Sequence, residues 1–259
     1  MKTFLKGLVV ISIAVLLVAC GGREDNGAKS ENSDEEKEVL KMGTSADFPP
    51  FETRDTDGEL IGFDIDLAHL IAEELGYELQ IEDMKFDGLI GALQTGRVDM
   101  VMSGMSATED RRENADFSIE YQHSGEMFLS LKETPFDDIN ELDGKKVGVQ
   151  LGTIQEDGAK VLQEDYDFEM VSLDDSTILI QELLSKRIDV AYMDTEVAVG
   201  YIDAQDLHGI DDPTTSSPGM GVAFPKGSEL VEPVNEVLEK FLEDGTIEEL
   251  REKWLHKDE

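Results

Sequence analysis

The most unusual chemical pattern in this chain is a pair of arginines, Arg111 and Arg112, in the first turn of a predicted helix. Thr108 is a typical N-cap, and Glu109 and Asp110 are the acidic residues that favour a helix start. Cations are disfavoured there because the helix dipole is positive at its N-terminus. An arginine that turns back over this end can nevertheless bind both oxygens of a carboxylate. The alternative is two solvated surface arginines, and the two side chains cannot both face one site.

Other kinds of reactive or metal-binding site find little support. The sequence contains no G-x-x-x-x-G-K-S/T loop, no H-E-x-x-H and no Cys/His metal spacing. Asp55-x-Asp57-Gly58 matches only the start of a calcium loop, so we predict a β-turn there. The histidines lie far apart and are expected to be surface or structural residues: His69, His123, His208 and His256. We therefore expect no catalytic residue, no metal and no cofactor.

The N-terminal segment indicates export. Lys2 and Lys6 precede an apolar run over 8–18, which is shorter than the roughly 20 residues that span a membrane. The residues Leu17-Val18-Ala19-Cys20 follow this pattern and contain the only cysteine. They resemble the lipobox of bacterial lipoproteins, in which the cysteine is acylated and becomes the mature N-terminus. An ordinary signal peptide with a chance cysteine is the alternative.

This resemblance divides the start of the chain into two parts. We predict a signal peptide over 1–19, then a lipidated N-terminus and flexible tether over 20–38, where apolar side chains are almost lacking. The protein is therefore expected on the outer face of a bacterial cell membrane. The formal net charge of −37 makes nucleic acid and anionic lipid headgroups unfavourable partners, so membrane contact is expected through the anchor only.

Beyond residue 38 the hydrophobic pattern alternates between strand and helix. Strands are predicted over 39–44, 77–81 and 98–102, and helices over 64–75 and 89–95, each helix ended by a glycine. This alternation predicts an α/β fold with a mainly parallel sheet flanked by helices.

An internal echo predicts two lobes of similar build. Residues 97–102 (RVDMVM) correspond to 187–192 (RIDVAY), and each segment follows an amphipathic helix. The strand over 39–44 likewise corresponds to 146–150. We expect lobe one to contain 39–131 and 220–259, and lobe two 132–219, with crossings near 132–135 and 218–221. Ligands of open α/β sheets bind beyond the carboxyl ends of the strands, so the cleft between the lobes is the expected site.

Nine blocks carry a more specific signal between residue 39 and about residue 255. They are TSADFPPFE at 44–52, GFDIDL at 62–67, DMVMSGM at 99–105, TEDR at 108–111, DFS at 116–118, GKKVGV at 144–149, GT at 152–153, DVAYMD at 189–194 and the segment 244–254. In this order and spacing they closely resemble the polar amino-acid-binding proteins of ABC importers.

The resemblance implies a two-lobe, hinged periplasmic-binding-protein fold that closes on one free amino acid and then docks on an ABC permease. A monomer is expected. Arg111 would pair with the ligand α-carboxylate, and Asp194 would take the α-ammonium. Thr153, with the amides that open the following helix, would bind the carboxylate from lobe two. The remaining implied contacts are two aromatic walls and a supporting loop: Phe48, Phe86, Gly104, Met105 and Ser106.

The sequence departs from the family pattern at Ser45, where many relatives carry an acidic residue that contacts a basic or amide side chain. Asp47 or Asp64 could replace that acid. Two phenyl rings could hold an arginine by cation–π contact, or equally a glutamine amide or a smaller polar side chain. The sequence leaves this choice open.

Two other functions remain as alternatives. A few members of this fold resemble dehydratases that act on cyclic, prephenate-like acids, which would require an acid or base at the cleft centre. Asp194 in the ammonium position argues against that reading. The third possibility is a sensory protein that presents its ligand to a receptor instead of a permease.

Overall fold

The computed structural model describes residues 37–214 and 217–255. The predicted signal peptide, the predicted acylation site Cys20, nearly all of the tether and His256 lie outside the described residues. The first half of the described chain contains these elements: β1 Val39–Thr44, β2 Thr53–Arg54, β3 Leu60–Ile61, α1 Phe63–Leu75, β4 Glu78–Asp83, α2 Leu89–Gln94, β5 Met100–Val101, α3 Glu109–Asn114, β6 Asp116–Gln122 and β7 Glu126–Leu131. A short 3₁₀ turn over Phe86–Gly88 precedes α2.

The second half continues the alternation of strands and helices. Its elements are β8 Lys146–Gln150, α4 Ile154–Leu162, β9 Glu169–Leu173, α5 Ser176–Leu184, β10 Val190–Asp194, α6 Thr195–Gln205, β11 Leu207–Asp211, β12 Met220–Phe224, α7 Val231–Asp244 and α8 Thr246–Trp254. A 3₁₀ turn over Ile139–Glu141 precedes β8.

Two five-stranded sheets repeat one topology. The first has the order β4-β1-β5-β12-β6, and the second the order β9-β8-β10-β7-β11. In the first sheet β12 pairs antiparallel with both neighbours, while β1 pairs parallel with β4 and β5. In the second sheet β7 is the reversed strand, and β8 pairs parallel with β9 and β10. The molecule is thus α/β with two lobes, as predicted, and each mixed sheet has one reversed strand.

The chain enters each lobe at the reversed strand of that lobe after a crossing: β7 in the second sheet and β12 in the first. β6 ends at Gln122 in the first sheet and β7 begins at Glu126 in the second, so the first crossing is 123–125. The expected crossing near 132–135, and with it the assignment of 126–131 to lobe one, was one strand too late. All residues of β7 are buried, including the polar Glu126 and Ser130, and a strand buried on both faces suits the interior of either sheet. The chain returns to the first sheet between the end of β11 at Asp211 and the start of β12 at Met220.

Helix and strand boundaries follow local sequence signals. α1 buries Ile65, Ala68 and Ile71 on one face and ends at Gly76, whose φ of 80° is the left-handed conformation that glycine accommodates. Gly148 in β8 allows α5 to approach closely, because a Cβ there would lie 2.5 Å from the side chains of Leu179 and Ile188. This close approach packs α5 against β8 in the second sheet.

The described residues contain neither a candidate membrane-spanning helix nor a candidate metal-ion cluster. No helix within 37–214 and 217–255 is both long and apolar enough to cross a membrane. Over the same residues, no group of three or more His, Cys, Asp or Glu side chains could hold a metal ion.

Candidate functional site

A cavity lies between the loops that follow the strands of the two lobes. Eight of its lining residues were expected at the ligand site: Asp47, Phe48, Phe86, Gly104, Ser106, Arg111, Thr153 and Asp194. Gln150, Ile154 and Gln155 complete the lining, which comes from both sheets. The cavity therefore lies at the carboxyl ends of strands from both sheets, as open α/β folds favour.

Arg111 reaches the cavity from α3. The hydroxyl of Thr108 caps this helix by accepting the amide of Arg111 at 3.2 Å. The guanidinium turns back and donates to the carbonyl of Ser106 at 2.8 Å and to that of Gly152, on lobe two, at 3.0 Å. Burial lowers its pKa to about 10. No carboxylate of the described residues forms an ion pair with it, so the charge lacks a protein counterion there.

Arg112 has different surroundings. Its Nε donates to the carbonyl of Ala107 at 3.1 Å, and its guanidinium lies 5.3 Å from the ring centre of Phe117. Arg112 does not line the cavity. Of the two arginines, Arg111 alone faces the cavity.

Asp194 is the buried acid on the lobe-two side. It is the N-cap of α6 and is 5 % exposed. Its Oδ1 accepts from the hydroxyl of Ser124 at 2.9 Å and from the amides of Glu196 and Val197 at 2.9 and 3.3 Å. Burial raises its pKa to about 7. No lysine, arginine or histidine of the described residues pairs with it.

The N-terminus of α4 forms a third part of the wall. Thr153 caps it by accepting the amide of Glu156 at 3.2 Å, and its hydroxyl donates to the carbonyl of Gln150 at 2.7 Å. Gly152 precedes it with a φ of 78°, and its amide donates to the carboxylate of Glu156 at 2.9 Å. The first residues of α4, Ile154 and Gln155, line the cavity. Helix N-termini are favourable positions for a carboxylate.

Phe48 and Phe86 form the aromatic walls. Phe86 carries Arg111 over its face, with 5.3 Å between the guanidinium carbon and the ring centre. Phe48 stacks on Phe51 with 6.0 Å between ring centres, and Phe51 is fully buried. Gly104, at φ 54°, allows Phe48 to lie close, since a Cβ there would be 3.0 Å from the ring. The rings can provide apolar and cation–π contacts to a ligand.

Two backbone groups of the supporting loop already make hydrogen bonds within the protein, which makes them less available to a ligand. The amide of Gly104 already donates to Asp64 at 2.8 Å, and the carbonyl of Met105 accepts from Gly221 at 3.1 Å. Met105 is 1 % exposed and does not line the cavity. Ser106 lines the cavity, and its carbonyl orients Arg111.

Among the three candidates for side-chain selectivity, only Asp47 lines the cavity. Ser45 lies behind it and donates to Asp47 Oδ1 at 3.0 Å. The expectation that Asp64 could reach the ligand was wrong. Its carboxylate is fully buried, accepts from the hydroxyl of Tyr121 at 2.8 Å, and holds the amide of Gly104 from below.

A second buried acid lies in the same layer as Asp64. Glu52 is fully buried, and one of its oxygens accepts from the hydroxyl of Ser103 at 2.8 Å. Burial and the nearby charge of Asp64 hold the pKa of Glu52 well above its usual range. Burial also raises the pKa of Asp64. Neither Glu52 nor Asp64 forms an ion pair with a cation of the described residues.

The sequence analysis did not assign Gln150 to the site. Gln150 is the last residue of β8, is 4 % exposed and lines the cavity. A polar residue at the end of an otherwise apolar strand was the available signal, because this end of a parallel strand faces the expected cleft.

Comparisons with known proteins agree with this geometry. The family model described as bacterial extracellular solute-binding proteins, family 3, matches residues 40–257. The arginine-binding extracellular protein ArtP of Bacillus subtilis (strain 168) is 39 % identical over 257 residues, covering 98 % of each chain. An ancestral arginine-binding protein solved with arginine is 39 % identical, with a TM-score of 0.80 over 83 % of this chain and 97 % of the other. An ancestral arginine-binding protein solved with glutamine is 38 % identical, with a TM-score of 0.79 over 83 % and 97 %.

Proposed function

Since this chain belongs to the bacterial extracellular solute-binding proteins of family 3, we propose that it binds a free polar L-amino acid outside the cell and delivers it to an ABC permease. The protein would act as a binding subunit without catalysis. Three of its relatives are named as binding proteins.

One observation carries this proposal: the cavity is lined by a cation, Arg111, and by an anion, Asp194, neither of which forms an ion pair with another described residue. Arg111 and Asp194 face the cavity from different lobes. Burying either charge unpaired is costly, so the arrangement favours a ligand that carries both opposite charges. The α-carboxylate and α-ammonium of an amino acid meet this requirement. The N-terminus of α4 adds a second contact for the carboxylate.

We propose further that the bound side chain is cationic, of the arginine type. The charged residues that line the cavity are Arg111, Asp47 and Asp194, which leaves one excess negative charge when all are ionised. A zwitterion with a neutral side chain keeps that excess, whereas a cationic side chain balances it. Asp47 would thereby replace the acid absent at Ser45. Two relatives are named as arginine-binding proteins, which supports this class. Another was solved with glutamine bound, so an amide side chain is the second candidate.

Anchoring and delivery are the remaining parts of the proposal. The lipobox-like residues before Cys20 support acylation of that cysteine and a position on the outer face of the cell membrane. The permease would receive the ligand from the closed protein. Export of a Cys20→Ser variant should release the protein into the medium, and the wild-type N-terminal peptide should carry the added mass of its acyl chains.

Calorimetric titration of the mature protein in detergent tests the binding function. The protein is first unfolded and refolded to remove carried-over ligand, then titrated with the twenty amino acids plus ornithine, citrulline and cystine. Micromolar or tighter binding of arginine, with lysine and ornithine weaker and glutamine weakest, is the expected result. Tightest binding of glutamine would reject the cationic class but keep the receptor function. No binding across the panel, together with turnover of a prephenate-like acid, would favour the dehydratase alternative.

A further inference from the structure

Asp47 makes a set of hydrogen bonds that joins the two lobes. It lies in the loop after β1, in the first lobe, yet its Oδ2 accepts from the side chain of Gln150 and from the amide of Ser176, each at 3.2 Å. Its own carbonyl accepts from the hydroxyl of Ser176. Gln150 ends β8 and Ser176 begins α5, so all three donors belong to the second lobe.

The carboxylate of Asp47 is positioned for this role from its own lobe. The hydroxyl of Ser45 donates to Oδ1 at 3.0 Å, which leaves Oδ2 directed at the opposite lobe. Oδ2 meets α5 at its first amide, where the helix dipole favours a negative charge. Both partners are well enclosed, since Asp47 is 9 % and Ser176 is 1 % exposed.

A nearby ion pair joins the same two elements but differs in burial. Lys85 of the first lobe lies 2.9 Å from Asp175, the N-cap of α5. The side chain of Lys85 is 49 % exposed, and ion pairs of this kind contribute little to stability. The buried hydrogen bonds of Asp47 are therefore the stronger contact at the end of α5.

We propose that Asp47, in addition to facing the bound side chain, holds the two lobes closed over the bound ligand, through Gln150 and the first turn of α5. The proposal rests on the proposed binding function, because closure matters only if the cleft takes a ligand. Gln150 lines the cavity and also donates to Asp47, so the wall of the ligand site and the closing contact share one side chain. Release of ligand requires these hydrogen bonds to break, whereas entry into an open cleft does not.

The test is stopped-flow and surface-based kinetics of ligand binding to the mature protein, with arginine as the probe. Asp47→Asn and Asp47→Ala should raise the dissociation rate by about 10- to 100-fold and leave the association rate within about threefold. X-ray scattering at saturating arginine should show a larger radius of gyration for the variants than for wild type. Lys85→Met is the matched control, and should change the dissociation rate by about threefold or less.

Ser176→Ala separates closure from direct ligand contact, because Ser176 does not line the cavity. This variant removes only the hydroxyl donor to the carbonyl of Asp47, and should raise the dissociation rate by about 5- to 10-fold. It also serves if the Asp47 variants fail to fold. Unchanged dissociation rates in the Asp47 and Ser176 variants, or effects confined to the association rate, would overturn the closing role. A wild-type protein that binds no amino acid would instead refute the proposed function itself.

Discussion

At the scale of single residues, two neighbours in one helical turn differ in what surrounds them. Arg111 points into the cavity and lacks a carboxylate partner among the described residues, while Arg112 lies over Phe117. An unpaired cation in a partly buried site loses hydration without receiving a counterion, which lowers the pKa of Arg111. A ligand carboxylate would restore the missing interaction, and the Arg111 fork can bind both of its oxygens.

Arg111→Ala is therefore expected to weaken amino-acid binding by about 100-fold or more, because the ligand carboxylate would be buried without its cation. Arg111→Lys should recover only part of the loss, since an ammonium cannot bind bidentately. Titration calorimetry measures both effects. Arg112→Ala is the control and should bind within about threefold of wild type; equal losses at the two positions would contradict the assignment.

If Asp194 holds the ligand ammonium, the binding of amino acids should depend on pH. In the ligand-free cleft burial raises its pKa to about 7, and only the ionised form can hold an ammonium. Affinity should thus be constant above pH 7 and fall by about tenfold per pH unit below it. Asp194→Asn should remove this dependence and weaken amino acids by about 30-fold or more. Deaminated analogues should lose much less; equal losses for both ligand types would refute the ammonium contact.

At the scale of elements, the turn between β8 and α4 brings lobe two close to lobe one. Gly152 has a φ of 78°, and a Cβ there would lie 3.1 Å from the Cα of Asp87 in the first lobe. Its carbonyl also accepts from Arg111. The turn therefore needs glycine twice, for its backbone conformation and for the close approach of the lobes.

Gly152→Ala should weaken ligand binding by about tenfold or more, because the added methyl group meets backbone atoms of the other lobe when the cleft is closed. Gly58→Ala is a matched control, since Gly58 has a φ of 88° and a Cβ there would have no neighbouring atom within 4 Å. Both variants should lose about 1 kcal/mol of unfolding free energy from the strained φ. Thermal melts and calorimetry separate the two effects; similar affinities for the two variants would exclude contact at Gly152.

At the scale of the whole molecule, acidity affects both the site and the fold. The chain has a formal net charge of −37, and burial raises the pKa values of Asp47, Glu52, Asp64 and Asp194. None of these carboxyls forms an ion pair with a cation of the described residues. A carboxyl whose pKa is higher in the folded than in the unfolded protein stabilises the fold at pH values below its unfolded-state pKa. That stabilisation is lost as the pH rises through its folded-state pKa.

The unfolding free energy of the ligand-free protein should accordingly fall between about pH 4 and pH 7, by on the order of a few kcal/mol from Asp194 and its buried neighbours. Denaturant titrations at several pH values measure this. High salt screens the surface repulsion, which acts in the same direction, and leaves the buried contribution. Arginine should reduce the slope by pairing with Asp194. A ligand-free protein that gains stability over this interval would contradict the pKa direction.

The sequence pattern was sufficient to predict the class of fold and a set of candidate site residues. Periodicity predicted α/β elements, and the duplicated segments at 97–102 and 187–192 predicted two lobes of one topology, which the matching strand orders confirm. The cap at Thr108 and the turn at Gly76 also follow from local rules, because they depend on residues a few positions apart.

The tertiary structure decided which of these residues share the cavity. Asp47, in the loop after β1, and Asp64, in the first turn of α1, are the same residue type, but Asp47 lines the cavity and Asp64 lies buried against the amide of Gly104. The sheet to which Glu126–Leu131 belongs was likewise set by long-range pairing, because a strand buried on both faces carries no label for its partner. Contacts between residues about 100 to 130 positions apart, such as those of Asp47 with Gln150 and Ser176, depend on how the two sheets face each other, which local pattern cannot specify.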